Sequence, residues 1–382
     1  MATAKTSKDL LAEVLLDAAR MLKSGGAMKP VRVGITTLGS ELGAAELVRG
    51  AELARALNLG IEPVLIGDSA DSSLETHACD QEEEQHKIME QLLDSGQIDG
   101  CVTAHYPFPI GVSTVGRVIT PALGKEVYIA TSTGTSDTER VQAMVKNAVY
   151  GIAAAKAAGV ANPRVGILNL DGARQVEQHL EKMRHNGYQF EWGASARADG
   201  GRVLRGNDLL MGTIDVAVTD TLTGNLLMKI FSAYTSGGSY ESLGYGYGPG
   251  IGPGFNRLVM IISRASGAPV IAGAIKYCAD IVRGKIMDVA AREIAAAEKA
   301  GWKVEKPKKD TNENKIITAP PAKPVTSQLS GIDILQLEDA VQCLWAAGVY
   351  ASSGMGCTGP VLLVADEDRN QAQALLSDKG FI

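Results

Sequence analysis

GNDLLMGTIDVAVTDTLTGNLLMKI, residues 206–230, carries the reading that decides the fold. Its segment TIDVAVTD (213–220) is a short β-branched, apolar run, the composition of a strand covered on both faces. The chain leaves that strand at Asp220 and enters an apolar helix expected over 224–235, with Gly224-Asn225 at its opening. A buried strand that passes straight into a helix is half of a strand-helix-strand unit, and such units build parallel sheets with right-handed crossovers.

The same beat continues outward in both directions. Upstream, RVGILNL (164–170) reads as a strand, followed by a helix over 174–187 and a strand segment over 189–197. Downstream come a glycine loop at 236–254, the strand RLVMIIS (257–263) and a helix over 276–298. Earlier still, VRVGITT (31–37), IEPVLIGD (61–68), IDGCVTAH (98–105) and EVYIATST (126–133) alternate with helical patterns at 41–57, 81–95 and 137–158. Asn162-Pro163 interrupts this run. The expectation is therefore an α/β protein of two three-layer domains, each with a mainly parallel sheet, and a cleft between them.

The expected division is an N-terminal helix and linker at 1–29, a first α/β domain at 30–159, a second at 160–302, a charged and Pro-rich linker at 303–328, and a small αβα tail at 329–382 that bears a cysteine.

Composition narrows the function classes. With 45% hydrophobic residues but only five Phe and three Trp, the core is expected from Ala, Val, Ile and Leu, and 43 glycines imply many tight turns or close backbone approaches. A net charge of −6 offers no attraction for nucleic acid or anionic lipid, so small molecules and proteins are the expected partners. The start MATAKTSKDLLAEV lacks the apolar region of a secretory signal and no 18-residue apolar run exists, which points to the cytoplasm and away from a membrane. Five cysteines, at 79, 101, 278, 343 and 357, show no CxxC spacing, so reduced thiols are expected in place of a disulfide framework or zinc ribbon. His77, Cys79 and His86 stand beside an acidic helix start, and no metal is expected there.

Ligands of open α/β sheets sit beyond the carboxyl ends of strands. By that rule the candidates are Asp220, Thr221, Thr223, Gly224 and Asn225. Thr221, Thr223 and the free N–H groups of the first helical turn are suited to holding phosphate; equally, Thr223 can serve as the helix cap and Gly224 as the turn residue. Thr133 and Gly134, within TSTGTS (131–136), end another strand, and Arg205, Asn207 and Lys229 are nearby ligands for phosphate or acyl oxygens. His105 ends a third strand and is placed to face the cleft, whereas Cys101 is the runner-up thiol, in a strand whose neighbours favour core packing. The glycine loop GYGYGPGIGPG reads as a lid or anion cradle, or as a surface loop at a subunit contact.

Cys357 lies in ASSGMGCTGP, read as a turn over Ser352–Pro360, where Gly354, Gly356 and Gly359 leave a sulfur unshielded. No His or Arg occurs between residues 330 and 368, so any cation that activates this thiol comes from elsewhere. From its residues alone Cys357 is either a small turn residue or a nucleophile.

The run 206–230, with NPRVGILNL before it, APVIAGAIKYCADIVRG (268–284) after it and VRVGITTLGSELGAAELVRGAELA near the start, resembles phosphotransacetylases and the acyl-carrier-protein phosphate acyltransferases. The insertion SGGSYESLGYGYGPGIGPGFNR (236–257) and the tail segment GMGCTGPVLLV are similar to the alpha subunits of component C of glycine, sarcosine and betaine reductase complexes. That resemblance implies passage of an acetyl group through a thioester to inorganic phosphate, with Cys357 as the nucleophile; the alternatives are an ordinary phosphotransacylase using coenzyme A or acyl-carrier protein, and a non-catalytic subunit whose tail docks a catalytic partner. It implies inorganic phosphate as a substrate and no organic cofactor. The implied partners are a beta subunit of component C and a selenoprotein carrying a carboxymethyl group, within an oligomer.

Overall fold

The computed structural model describes residues 30–196, 200–304, 317–332, 336–356 and 359–382. The segment 1–29, the middle of the linker and Cys357 lie outside the described residues. From Val31 the chain runs β1 (Val31–Thr36), α1 (Ala44–Ala56), β2 (Ile61–Ile66), β3 (Thr76–His77), α2 (Glu82–Asp94) and β4 (Gly100–Thr103). It then makes an antiparallel pair, β5 (Ser113–Ile119) and β6 (Glu126–Gly134), before helix α3 (Arg140–Ala157).

The next stretch contains β7 (Arg164–Leu168), α4 (Ala173–His185), β8 (Glu191–Trp192), β9 (Val203–Leu204), α5 (Gly206–Met211), β10 (Val216–Val218) and α6 (Thr221–Ala233). After it come β11 (Gly248–Ile251), β12 (Val259–Ile261), α7 (Ala268–Arg283) and α8 (Ile286–Lys299). The helix expected over 276–298 is thus two helices. Gly284 separates them at a point where a Cβ would stand 1.8 Å from the carbonyl oxygen of Ala157, and Lys285 follows with φ +55°.

All twelve strands of the body join one sheet, in the order β3-β2-β1-β4-β12-β11-β5-β6-β10-β7-β8, with β9 also paired to β7. At one end, β1, β2, β3, β4 and β12 are parallel; at the other, β6, β7, β8, β9 and β10 are parallel. The sheet runs across Gly159 in sequence, since β6 precedes it and pairs with β10 beyond it. Pairing in the parallel strands is in register, for instance Val33 beside Pro63 and Gly100, and Val216 beside Tyr128 and Val165. Strand residues such as Val33, Ile35, Val102, Ile129 and Val218 are wholly buried. Each such side chain contributes roughly 1.5–3 kcal/mol of transfer free energy relative to exposure.

The joint between the two parallel regions is the glycine segment. The expectation of a loop throughout 236–254 is corrected here: GPGI forms β11, with Gly248 opposite Ile261 of β12 and Gly250 opposite Thr114 of β5. Glycine is required because the packing leaves no room for a Cβ. At Gly248 it would meet the Val115 carbonyl oxygen at 1.7 Å, and at Gly250 the Phe108 ring at 2.3 Å.

The C-terminal part consists of β13 (Ser327–Ser330), α9 (Leu337–Ala346), β14 (Ala351–Gly356), β15 (Gly359–Val364) and α10 (Arg369–Asp378). Its strands form a separate antiparallel sheet in the order β13-β15-β14. Leu329, Val341, Leu344, Leu362, Val364 and Leu376 make a core of its own. Here too the sequence expectation changes: most of the turn expected at Ser352–Pro360 is ladder, paired from Ser352↔Leu363 to Gly356↔Gly359. The apolar partner strand VLLV compensates for glycines that weaken β14 taken alone. No helix among the described residues is long and apolar enough to cross a membrane.

Candidate active site

Helix α6 begins where β10 ends, and its first turn is fastened to the end of β6. Asp220, not Thr223, is the cap: its Oδ1 accepts the Thr223 N–H at 2.8 Å. Its other oxygen accepts from Arg140 at 2.7 Å. Thr221 donates its hydroxyl to the Gly134 carbonyl at 3.0 Å, and Asn225 donates Nδ2 to the Ser132 carbonyl at 3.1 Å. Gly224 lies against Thr131, and Gly134 takes φ +82° to turn the chain out of β6. Asp220, Thr221 and Thr223 therefore act locally as fasteners, and Asn225 is held so that its turn of helix borders a cavity.

That cavity, of about 340 Å³, is lined by Thr133, Asn225 and Lys229 from β6 and α6, and by Ala104, His105 and Tyr106 beyond β4. The segment Ile261–Arg264 at the end of β12, together with Glu41 and Tyr247, completes its wall. Strand ends from both parallel regions thus contribute to one opening.

Lys229, one turn after Asn225, donates to Ser263 Oγ at 2.6 Å and to Glu241 Oε1 at 3.1 Å. Glu241 is buried and also accepts from Tyr247 and Ser266, each at 2.9 Å. Burial and the adjacent Glu241 carboxylate push the Tyr247 phenol far above its ordinary range, so Tyr247 is a permanent donor. The cavity thus presents an ammonium, a guanidinium, an amide, hydroxyls and an imidazole, with Glu41 the one acid in its lining and the buried Glu241 carboxylate behind Lys229. This inventory suits an anion with several acceptor oxygens.

Of the residues chosen from the sequence, the cavity gathers His105, Thr133, Asn225 and Lys229. Arg205 and Asn207 are exposed at the start of α5, where the Arg205 N–H donates to Asp208 at 2.8 Å, and neither lines the cavity. Cys101 is in the core; burial drives its thiol well above the usual range, which removes it as a nucleophile. Cys357, the principal candidate, lies outside the described residues. Ser263, the last residue of RLVMIIS, and Arg264, the next one, are not among the site residues chosen from the sequence, although both obey the strand-end rule that selected His105. Glu241 and Tyr247 carried no signal, because the surrounding glycines erase any periodicity. Among the described residues, no group of three or more His, Cys, Asp or Glu side chains is arranged to hold a metal ion.

A family model described as "Fatty acid synthesis protein" matches residues 31–363. The glycine/sarcosine/betaine reductase complex component C subunit alpha of Peptoclostridium acidaminophilum is 53% identical over 380 residues, covering 98% of this chain and 99% of that protein. A phosphate acyltransferase of Fervidobacterium nodosum is 26% identical over 231 residues, 59% of this chain and 67% of that one. Among solved structures, a branched-chain phosphotransacylase from Enterococcus faecalis shares 16% identity over 66% of this chain and 99% of its own, with a TM-score of 0.45.

Proposed function

Because the chain belongs to the fatty acid synthesis protein family, whose model spans residues 31–363, we propose that it transfers an acyl group to inorganic phosphate as one subunit of a reductase complex. The observation that carries this reading is the convergence of Thr133, Asn225, Lys229 and His105 on one cavity between strand ends. The 53% identity to a component C alpha subunit along almost the whole chain supports placing that chemistry in such a complex.

In the proposed reaction, Cys357 carries an acetyl group as a thioester. Phosphate occupies the cavity, held by the Lys229 ammonium, the Asn225 amide and the Thr133 hydroxyl. A phosphate oxygen attacks the thioester carbonyl carbon. The C–S bond breaks, the Cys357 thiolate leaves, and acetyl phosphate is released. Lys229 and Arg264 offset the charge that collects on the oxygens during transfer. The proposed partners are a beta subunit of component C, and a selenoprotein that delivers the carboxymethyl group from which the acetyl unit is made. An oligomer remains the proposed assembly.

The test is mass spectrometry of the chain, with its partner proteins and donor, stopped during turnover without phosphate. An acetyl group on Cys357 that disappears as acetyl phosphate when phosphate is added is the expected result. Acetyl phosphate formed at the normal rate by Cys357→Ala would sink the proposal. The 26% identity to a phosphate acyltransferase favours a second reading, an ordinary phosphotransacylase using coenzyme A or acyl-carrier protein. Rapid exchange between acetyl-coenzyme A and phosphate in the chain alone would select it.

A further inference from the structure

Resting on the reading that inorganic phosphate reacts in this cavity, we propose that Glu241 is a positioning residue: it pins Lys229 so that one N–H of the ammonium is left pointing to the reacting anion. Glu241 comes from the segment between α6 and β11 and is only 2% exposed. Its backbone is stitched to the turn after β12, the N–H donating to the Ala265 carbonyl at 2.9 Å and the carbonyl accepting from Gly267 at 2.8 Å. The carboxylate is saturated on both sides, with Tyr247 and Lys229 on Oε1 and Ser266 on Oε2. One buried acid thus ties a helix beside β6 to the end of β12, across the joint of the sheet.

An ammonium has three N–H donors. Glu241 takes one and Ser263 takes another, and the third has no protein acceptor among the described residues. Lys229 is 47% exposed, and its side chain lines the cavity. Without the carboxylate, a four-carbon stem this open would still attract phosphate as a point charge but would no longer fix its orientation. Loss of the pin weakens phosphate binding, while loss of a nearby negative charge strengthens it. These effects oppose each other in KM, and the misplacement remains in kcat.

The experiment compares Glu241→Gln, Lys229→Met and the double variant in the complex, assaying acetyl phosphate. The expected result for Glu241→Gln is a kcat lowered about tenfold, a phosphate KM within about threefold of the parent, and a Tm within about 3 °C. In the Lys229→Met background, Glu241→Gln is expected to lower kcat no further, since it acts only through Lys229. Acetic anhydride labelling read by mass spectrometry supplies a measurement that needs no turnover: labelling of Lys229, relative to the exposed Lys299, should rise several-fold in Glu241→Gln. Unchanged labelling, or a kcat loss that persists in the Lys229→Met background, would make Glu241 a brace of the fold and overturn the inference. Failure of the parent complex to form any acyl phosphate would remove the transfer reading alone, with the labelling ratio still deciding whether Glu241 pins Lys229.

Discussion

Gly224 and Thr131 approach so closely that a Cβ on Gly224 would stand 1.7 Å from the Thr131 carbonyl oxygen. Helix α6 can therefore lie against β6, with Asn225 reaching the Ser132 carbonyl, only because residue 224 has no side chain. Gly224→Ala must push the helix off the strand. The expected cost is on the order of 3 kcal/mol, read as a lower midpoint in denaturant unfolding, together with a phosphate KM raised more than tenfold. Unchanged stability would mean that the two elements can separate freely.

A second close approach joins the sheet. Gly248 has φ +82°, and a Cβ there would lie 1.7 Å from the Val115 carbonyl oxygen. Gly248→Ala is expected to destabilise the body by about 4 kcal/mol, since both the backbone angle and the β5–β11 contact are lost. Gly254, with φ +72° but nothing near its Cβ position, is the control: Gly254→Ala should cost only about 1 kcal/mol. Equal losses in the two variants, measured by thermal unfolding, would contradict this account of β11.

Arg117 on β5 is 7% exposed and sits between Glu126 and Asp280, with its guanidinium 4.2 Å from the centre of the Tyr245 ring. Burial raises the Glu126 carboxyl, but the Tyr245 hydrogen bond and the Arg117 charge outweigh it and hold the group below its usual value. The folded value is the lower one, so this contribution is complete above the unfolded carboxylate value of about 4.3 and is lost as pH falls through the folded value. Arg117→Met should cost about 2–3 kcal/mol at pH 7, toward the low end because Glu126 is 39% exposed. The deficit should shrink as pH falls below about 4. Urea unfolding at pH 7 and at pH 3.5 measures both; a deficit independent of pH would show that the lost contacts are not charge interactions.

Strands β1, β2, β4, β6, β7, β10 and β12 were legible because each carries a short apolar run bounded by turn residues, whereas the two-residue parallel strands β3 and β9 are too short to show one; strand-end logic led from TIDVAVTD to Asn225 and Lys229. Two of the features that were not legible share a reason. Strand β11 and the ladder of β14 are glycine-rich, so neither periodicity nor β propensity marks them, and only the surrounding backbone shows that a strand fits there. The partner of Lys229 was hidden in the same way, since Glu241 is distant from the strand it braces and is brought there by the packing of β11. Arg205 shows the converse: a residue next in sequence to the decisive run ends up capping α5, outside the cavity.

Separate variants should separate the two halves of the proposed reaction. Cys357→Ala removes the atom that would carry the acetyl group, so no acyl-enzyme should form and acetyl phosphate should fall by at least about a thousandfold. Lys229→Met leaves that thiol in place and removes charge stabilisation in the cavity, which is worth about 10²–10³ in rate when a single well-placed group is deleted. Loading should then continue while discharge to phosphate fails. Lys229→Met should therefore accumulate acetyl on Cys357 even with phosphate present, detectable as a mass increment on the peptide containing Gly356 and Pro360 and released by hydroxylamine. Asn225→Ala should do the same to a smaller degree, since a neutral donor contributes less than an ammonium. If Lys229→Met loses activity without accumulating acetyl on Cys357, the block lies before the thioester, and the cavity serves loading of the thiol, not its discharge.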